Sequence, residues 1–223
     1  MIIAIDGPAG SGKSTTARSV ARRLGVRYFD TGATYRALAY AARRAGLDDA
    51  AFAAALPEVA LDVRYDADGA QRLWMEGEDV TDALRSREMG PLASALARHT
   101  TVRERMVALQ RSVGKAIAAR DGGVVLDGRD IGTVVFPDAD VKVFMVADPH
   151  ERARRRQREL GARGEDADLD VLEAEILARD AQDSARAFGP LKCAEDATVL
   201  DTTALSPEEQ VEFVARLVEA KRL

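Results

Sequence analysis

Gly7-Pro8-Ala9-Gly10-Ser11-Gly12-Lys13-Ser14 matches the pattern G-x-x-x-x-G-K-[ST]. Residue types at this spacing hold a polyphosphate. Glycines let the backbone curl so that consecutive N–H groups face phosphate oxygens. A helix that begins at the loop directs its positive end at the same point. Lys13 supplies a mobile cation to β- and γ-phosphates, and Ser14 supplies a hydroxyl for Mg²⁺. The expected nucleotide contacts are Gly7, Pro8, Ala9, Gly10, Ser11, Gly12, Lys13, Ser14 and Thr15. The alternative is a Gly-rich turn with no ligand. The flanks weigh against it: an apolar run, Ile2 to Ile5, precedes the loop, and a helical face of Ala17, Val20, Ala21 and Leu24 follows.

A second set of residues suits an anionic acceptor. A phosphate acceptor is mostly dianionic at neutral pH and needs no general base. It needs relief of repulsion between two polyanions, and exclusion of water. Arg36 follows one predicted strand, in Asp30-Thr31-Gly32-Ala33-Thr34-Tyr35-Arg36, and Arg129 follows another, in Asp127-Gly128-Arg129-Asp130. Arg179, Asp183 and Arg186 recur at near-helical spacing and can share a face. Any one arginine could be an ordinary solvated side chain; Arg129, between two acids in a Gly turn, argues more strongly for a site. Asp127 suits a carboxylate that steadies Mg²⁺ through water, with Asp6 the competing candidate. Arg152, Arg154, Arg155, Arg156 and Arg158 crowd one helix. Some of them form its solvated face. Arg152 and Arg156, one turn apart, are the expected catalytic cations of a lid that closes over the transferring phosphate.

These residues need elements to carry them. Strands are expected at Ile2–Ile5, Val26–Phe29, Val124–Leu126, Val141–Val146 and Thr198–Leu200, separated by helical patterns. That alternation predicts an α/β fold with a parallel sheet and helices on both faces. Its ligands sit at the strand carboxyl ends, where Gly7, Asp30, Asp127–Asp130 and Asp148 fall. Leu61–Tyr65, a turn at Asp66–Gly69, Gln71–Glu76 and a further turn at Gly77–Asp79 predict a small antiparallel insert. Helices are expected over Ser86–His99 and Val102–Arg120, and Asp148-Pro149 opens the arginine-rich helix.

The bulk composition narrows the function. The 223 residues are 47% hydrophobic and carry a net charge of −5, so a nucleic-acid polymer is not the expected partner. Aromatics at 5% offer no base-stacking platform. The single cysteine, Cys193, excludes a disulfide framework. His99 and His150 lack metal-ligand company, and no nucleophilic triad stands out. The chain shows no secretory leader and no apolar run of membrane-span length, so a cytoplasmic protein is expected, acting as a monomer with no membrane partner.

The phosphate loop, Asp30–Arg36, Glu76-Gly77-Glu78-Asp79-Val80, Asp127–Pro137, and Arg179-Asp180 with Asp183 and Arg186 closely resemble the bacterial cytidylate kinases. The motifs run to about Leu191, and the Asp-Gly-Arg-Asp block is the most specific of them. The resemblance implies a P-loop nucleoside monophosphate kinase fold as one domain over 1–223. It implies a monophosphate-binding region over 31–103, carrying the β insert at about 59–84, and a short lid over 149–168. It implies transfer from ATP to CMP or dCMP with Mg²⁺. It puts Arg36, Arg129 and Arg186 on the acceptor phosphate, Ser94, Arg103 and Asp130 at the cytosine, and Arg179 and Asp183 at the sugar. Thr31 and Tyr35 belong to the same acceptor motif; Thr31 stands where serine is common and keeps the hydroxyl. The cytosine edge offers an amino donor beside acceptors, which a carboxylate and a guanidinium complement. The competing readings are a kinase for UMP or shikimate and a nucleotide-dependent switch. The chain lacks the Asn-Lys-x-Asp guanine-reading motif.

Overall fold

The apolar runs become strands where the pattern places them. In the computed structural model they are β1 (Ile2–Asp6), β2 (Arg27–Asp30), β3 (Leu61–Tyr65), β4 (Gln71–Met75), β5 (Glu78–Asp79), β6 (Val124–Gly128), β7 (Val141–Val146) and β8 (Thr198–Asp201). The helices are α1 (Lys13–Leu24), α2 (Thr31–Arg44), α3 (Asp49–Ala55), α4 (Met89–Leu96), α5 (Thr100–Asp121), α6 (Pro149–Gly161), α7 (Leu169–Ser184) and α8 (Pro207–Arg222). The structure describes residues 1–86, 88–162 and 164–222. Arg87, in the expected 31–103 region, Arg163, in the expected 149–168 lid, and Leu223 lie outside the described residues.

Five strands form a parallel sheet in the order β2-β6-β1-β7-β8. Side chains alternate between its faces with the period of a strand. Ile3, Ile5, Val125 and Val143 pack with Val20 of α1 and Val214 and Val218 of α8. Ala4, Phe29, Val124 and Leu126 pack on the opposite face with Val107 and Ile117 of α5. Each large apolar side chain so buried contributes about 1.5–3 kcal/mol. The register sets Asp6 opposite Gly128 and Asp30 opposite Asp127, so the functional loops leave the sheet at one edge.

The insert is a three-stranded antiparallel sheet, β3-β4-β5. The expected turn at Gly77–Asp79 is in fact a tighter reversal at Glu76 and Gly77, both at positive φ, followed by the short strand β5. The insert packs Leu73, Met75 and Val80 on Ala37 of α2. The helix expected over Ser86–His99 is shorter. A 3-10 turn at Ala83–Arg85 precedes α4, whose cap at Glu88 makes no side-chain hydrogen bond. Ile131–Val135 forms a π-helical turn that the sequence pattern did not suggest. Asp30, Asp148 and Asp168 cap α2, α6 and α7 through their carboxylates, each cap worth about 1 kcal/mol.

Candidate active site

The phosphate loop joins β1 to α1. Gly7 has φ +147°, and a Cβ there would lie 2.0 Å from the Met145 carbonyl oxygen of β7, so only glycine lets the chain turn off the sheet here. Lys13 is buried at the first position of α1; its ammonium donates to the Pro8 carbonyl at 2.5 Å and to Ser11 Oγ at 3.4 Å. Burial and the Arg129 guanidinium push the Lys13 pKa well below the usual lysine range, against the pull of Asp127 and Asp6. Lys13 therefore sits where two chemistries meet, within electrostatic reach of both the carboxylates and the arginines.

Asp127, within β6, is the node beside it. Its Oδ2 accepts from Ser14 Oγ at 2.6 Å and its Oδ1 from Tyr28 OH at 2.8 Å; Thr31 Oγ1 donates to its carbonyl at 2.6 Å. Burial and the nearby Asp30 push the carboxyl pKa up, while Ser14, Lys13 and Tyr28 pull it down. Asp6, the competing candidate, is committed elsewhere. Its oxygens accept from Ile131 N at 2.8 Å and Gly132 N at 2.7 Å, fixing the start of the π-helical turn, and burial raises its pKa to about 7. Ser14 and Asp127 are hard oxygen donors in contact, which fits Mg²⁺ held mainly by substrate phosphates. Among the described residues no cluster of three or more His, Cys, Asp or Glu offers an all-protein metal cage.

The arginines gather around one buried carboxylate. Asp183 on α7 accepts from Arg129 Nε at 2.8 Å through Oδ2 and from Arg186 through Oδ1. Arg129 also donates to the Gly128 carbonyl at 3.2 Å. Arg179 opens onto the cleft; loss of surrounding water and the charge of Arg129 push its pKa down to about 10. Arg36 is held by Asp30 Oδ2 at 2.7 Å and adds to the field on Arg179. Like charges converge here because Asp183 and Asp30 offset their repulsion.

Next to this cluster lies a fully buried pair. Arg103 on α5 donates to Asp130 and to the carbonyls of Phe188 at 2.6 Å and Gly189 at 3.1 Å. Burial raises the Asp130 pKa and Arg103 opposes it. The Arg103 guanidinium lies 5.8 Å from the Tyr35 ring centroid, and burial pushes the Tyr35 hydroxyl up to about 12. Ser94 Oγ and Arg186 Nε are both buried with no hydrogen-bond partner among the described residues.

A cleft of about 1280 Å³ runs from Lys13, Ser14 and Thr15 past Ser94 and Arg179 to Arg155, Arg156 and Arg158. The structure separates Arg152 from Arg156. Arg156 lines the cleft and pairs with Glu159 at 3.1 Å. Arg152 is only 4% exposed, with its guanidinium on the Ala147 and Ala9 carbonyls, both at 3.0 Å, and on Asp180. Asp180 in turn accepts from Ala9 N at 3.3 Å, so Arg152 and Asp180 bracket the apex of the phosphate loop. Sequence reasoning also missed Tyr28, which holds Asp127, and Gln110, which donates to Thr34 Oγ1 at 3.0 Å and the Thr31 carbonyl at 3.4 Å. It missed Thr202, which donates to the Ser11 carbonyl at 3.0 Å. The one local signal was a glutamine buried in a helix face, Gln110.

A phosphate loop at the first strand, opening onto a cleft lined by Arg155, Arg156, Arg158 and Arg179, with Arg129 in electrostatic reach of Lys13, is the arrangement of a P-loop kinase, a phosphotransferase of α/β architecture. The family profile described as cytidylate kinase matches residues 3–220. The cytidylate kinase of Salinibacter ruber is 51% identical over 99% of this chain and 98% of its own, and that of Pelotomaculum thermopropionicum is 47% identical over 99% and 96%. The chain belongs to the cytidylate kinase family and is an enzyme of that family. A solved structure of an uncharacterized protein from Eubacterium ventriosum covers 99% of both chains at a TM-score of 0.56 and 11% identity, a likeness of fold alone.

Proposed function

We propose that the enzyme transfers the γ-phosphoryl group of ATP in line onto the 5′-phosphate of CMP or dCMP, with Mg²⁺ and without a general base. The bond from the γ-phosphorus to its bridging oxygen breaks as a bond to an acceptor phosphate oxygen forms. The loop amides and Lys13 hold the donor, and Ser14 and Asp127 are the protein's side of a Mg²⁺ site. When bound, Mg²⁺ offsets charge on the β- and γ-oxygens. Arg36, Arg129 and Arg186 bind the acceptor phosphate, and Arg179 and Asp183 face the sugar. Ser94, Arg103 and Asp130 read the cytosine, and Thr31 and Tyr35 belong to the acceptor site. Arg156, from a lid over 149–168, closes on the transferring group, while Arg152 acts through the loop it braces. Segment 31–103 forms the acceptor-binding region.

The observation that supports this reading best is the Arg129–Asp183–Arg186 cluster beside the buried Arg103–Asp130 pair. Arg186 and Arg129 are within electrostatic reach of Asp130, so an anion site and a carboxylate–guanidinium edge are neighbours. Uracil has a carbonyl where cytosine has its amine and would face a lone pair of Asp130, leaving buried polar groups unpaired. The test is a panel of monophosphates with ATP and Mg²⁺, read by ADP release. CMP and dCMP should lead, and Asp130→Ala should lower kcat/KM for CMP more than for UMP. Equal losses with both would remove Asp130 from base reading.

The same reading makes the protein a cytoplasmic monomer. Among the described residues no helix is long and apolar enough to cross a membrane. A sedimentation mass near 24.0 kDa is expected, and a dimer mass would contradict it.

A further inference from the structure

β2 is an edge strand of the parallel sheet, so the outward N–H and C=O groups of its residues have no strand to pair with. Two side chains of the insert take them up. Tyr65 OH donates to the Tyr28 carbonyl at 2.9 Å. The Gln71 side-chain amide brackets the Asp30 peptide: Oε1 accepts from Asp30 N at 2.7 Å and Nε2 faces the Asp30 carbonyl at 3.4 Å. Tyr65 and Gln71 are themselves a directly opposed cross-strand pair at the end of the β3–β4 hairpin. The adjoining turn is pinned by Asp66 Oδ1, which accepts from Asp68 N at 3.1 Å and Ala70 N at 2.8 Å, so the register that presents Gln71 is fixed.

Asp30 is the residue that matters at the other end of this contact. Its Oδ1 caps α2 at Ala33 N, 3.0 Å away, and its Oδ2 holds the Arg36 guanidinium at 2.7 Å. We propose that the three-stranded insert is a positioning element for the acceptor site, in which the Gln71 amide fixes the Asp30 peptide and Asp30 fixes Arg36. Gln71 touches no substrate; it is a positioning residue. The inference rests on the reading that Arg36 holds the acceptor phosphate.

The test uses the full chain with CMP and ATP–Mg²⁺ in a four-variant cycle: wild type, Gln71→Ala, Arg36→Ala and the double variant. Gln71→Ala should raise the KM for CMP by about tenfold, the scale of one or two hydrogen bonds, and leave the KM for ATP unchanged. In the Arg36→Ala background the same change should add less than twofold, because the side chain it positions is gone. Tyr65→Phe removes the neighbouring contact without touching the Asp30 peptide, and its CMP KM should stay within about twofold of wild type. Equal multiplication of KM in both backgrounds, or a Tyr65→Phe effect as large as that of Gln71→Ala, would overturn the relay. A fully active Arg36→Ala enzyme with unchanged CMP KM would overturn it at the step below, by removing Arg36 from the acceptor phosphate.

Discussion

Arg129→Ala is the substitution whose cost can be worked from the geometry. Of the guanidinium's donors, Nε serves Asp183 at 2.8 Å and one Nη1 donor serves the Gly128 carbonyl at 3.2 Å. The remaining Nη1 and Nη2 donors are left for an anion, enough for a two-point grip on a phosphate. Two charge-assisted hydrogen bonds at roughly 1.5–3 kcal/mol each give about 3–6 kcal/mol. At ~1.36 kcal/mol per decade this is a loss in kcat/KM for CMP of roughly 10²–10⁴, overlapping the scale of an arginine finger. Asp183 keeps Arg186 as a partner, so the buried carboxylate is not stranded and the variant should fold. Arg129→Lys should recover part of the loss, since charge returns while the fork and the tether to Asp183 do not. The assay is initial-rate CDP formation at saturating ATP–Mg²⁺, with a thermal melt to confirm folding. A folded Arg129→Ala enzyme within tenfold of wild type would refute the reasoning.

Gly189 has φ +62°, and a Cβ there would stand 2.2 Å from both Arg103 Nη2 and Asp130 Oδ2. Gly189→Ala must therefore displace the ends of a buried ion pair and hold a non-glycine residue at positive φ, so it should lower Tm and CMP turnover together; an unchanged Tm would contradict the packing. Asp6 gives a pH signature. Its pKa is raised from 3.8 to about 7, so between these values the unfolded chain releases its proton while the fold retains it. Its contribution to stability falls as pH rises through that window, by up to about 4 kcal/mol at ~1.36 kcal/mol per pH unit. Asp6→Asn should remove this slope, so the stability of the variant relative to wild type should rise between pH 4 and pH 7. A pH-independent difference would count against the burial of Asp6 as the cause.

The parts of the site that the sequence carried are those built from local chemistry. The phosphate loop is contiguous, and Arg179, Asp183 and Arg186 lie on one stretch of chain. Asp127 could be singled out because it follows an apolar run, with Asp6 at the end of β1 as its rival, and sequence alone offered no way to weigh the two. The partners that distinguish them are distant in sequence: Ser14 and Tyr28 on Asp127, the Ile131 and Gly132 amides on Asp6. Spacing put Arg152 and Arg156 on one side of a helix, but one turn of a helix can hold a buried and an exposed residue when another element packs across it. Here α7 supplies Asp180 to Arg152. Tyr28, Gln71 and Gln110 act through contacts 99, 41 and 76 residues away in sequence, and no local pattern announces such partners. Glu78–Asp79 pairs as a strand only because β4 offers an edge beside it.

The central claim is that donor and acceptor meet end to end across this one cleft. A bisubstrate compound, adenosine and cytidine joined 5′-to-5′ through a pentaphosphate, tests it directly by titration calorimetry. If both sites face each other, the linked compound should bind at least about 10²-fold tighter than ATP or CMP alone, and Arg129→Ala should abolish most of that gain. Binding no tighter than that of ATP, or a gain indifferent to Arg129, would contradict the account.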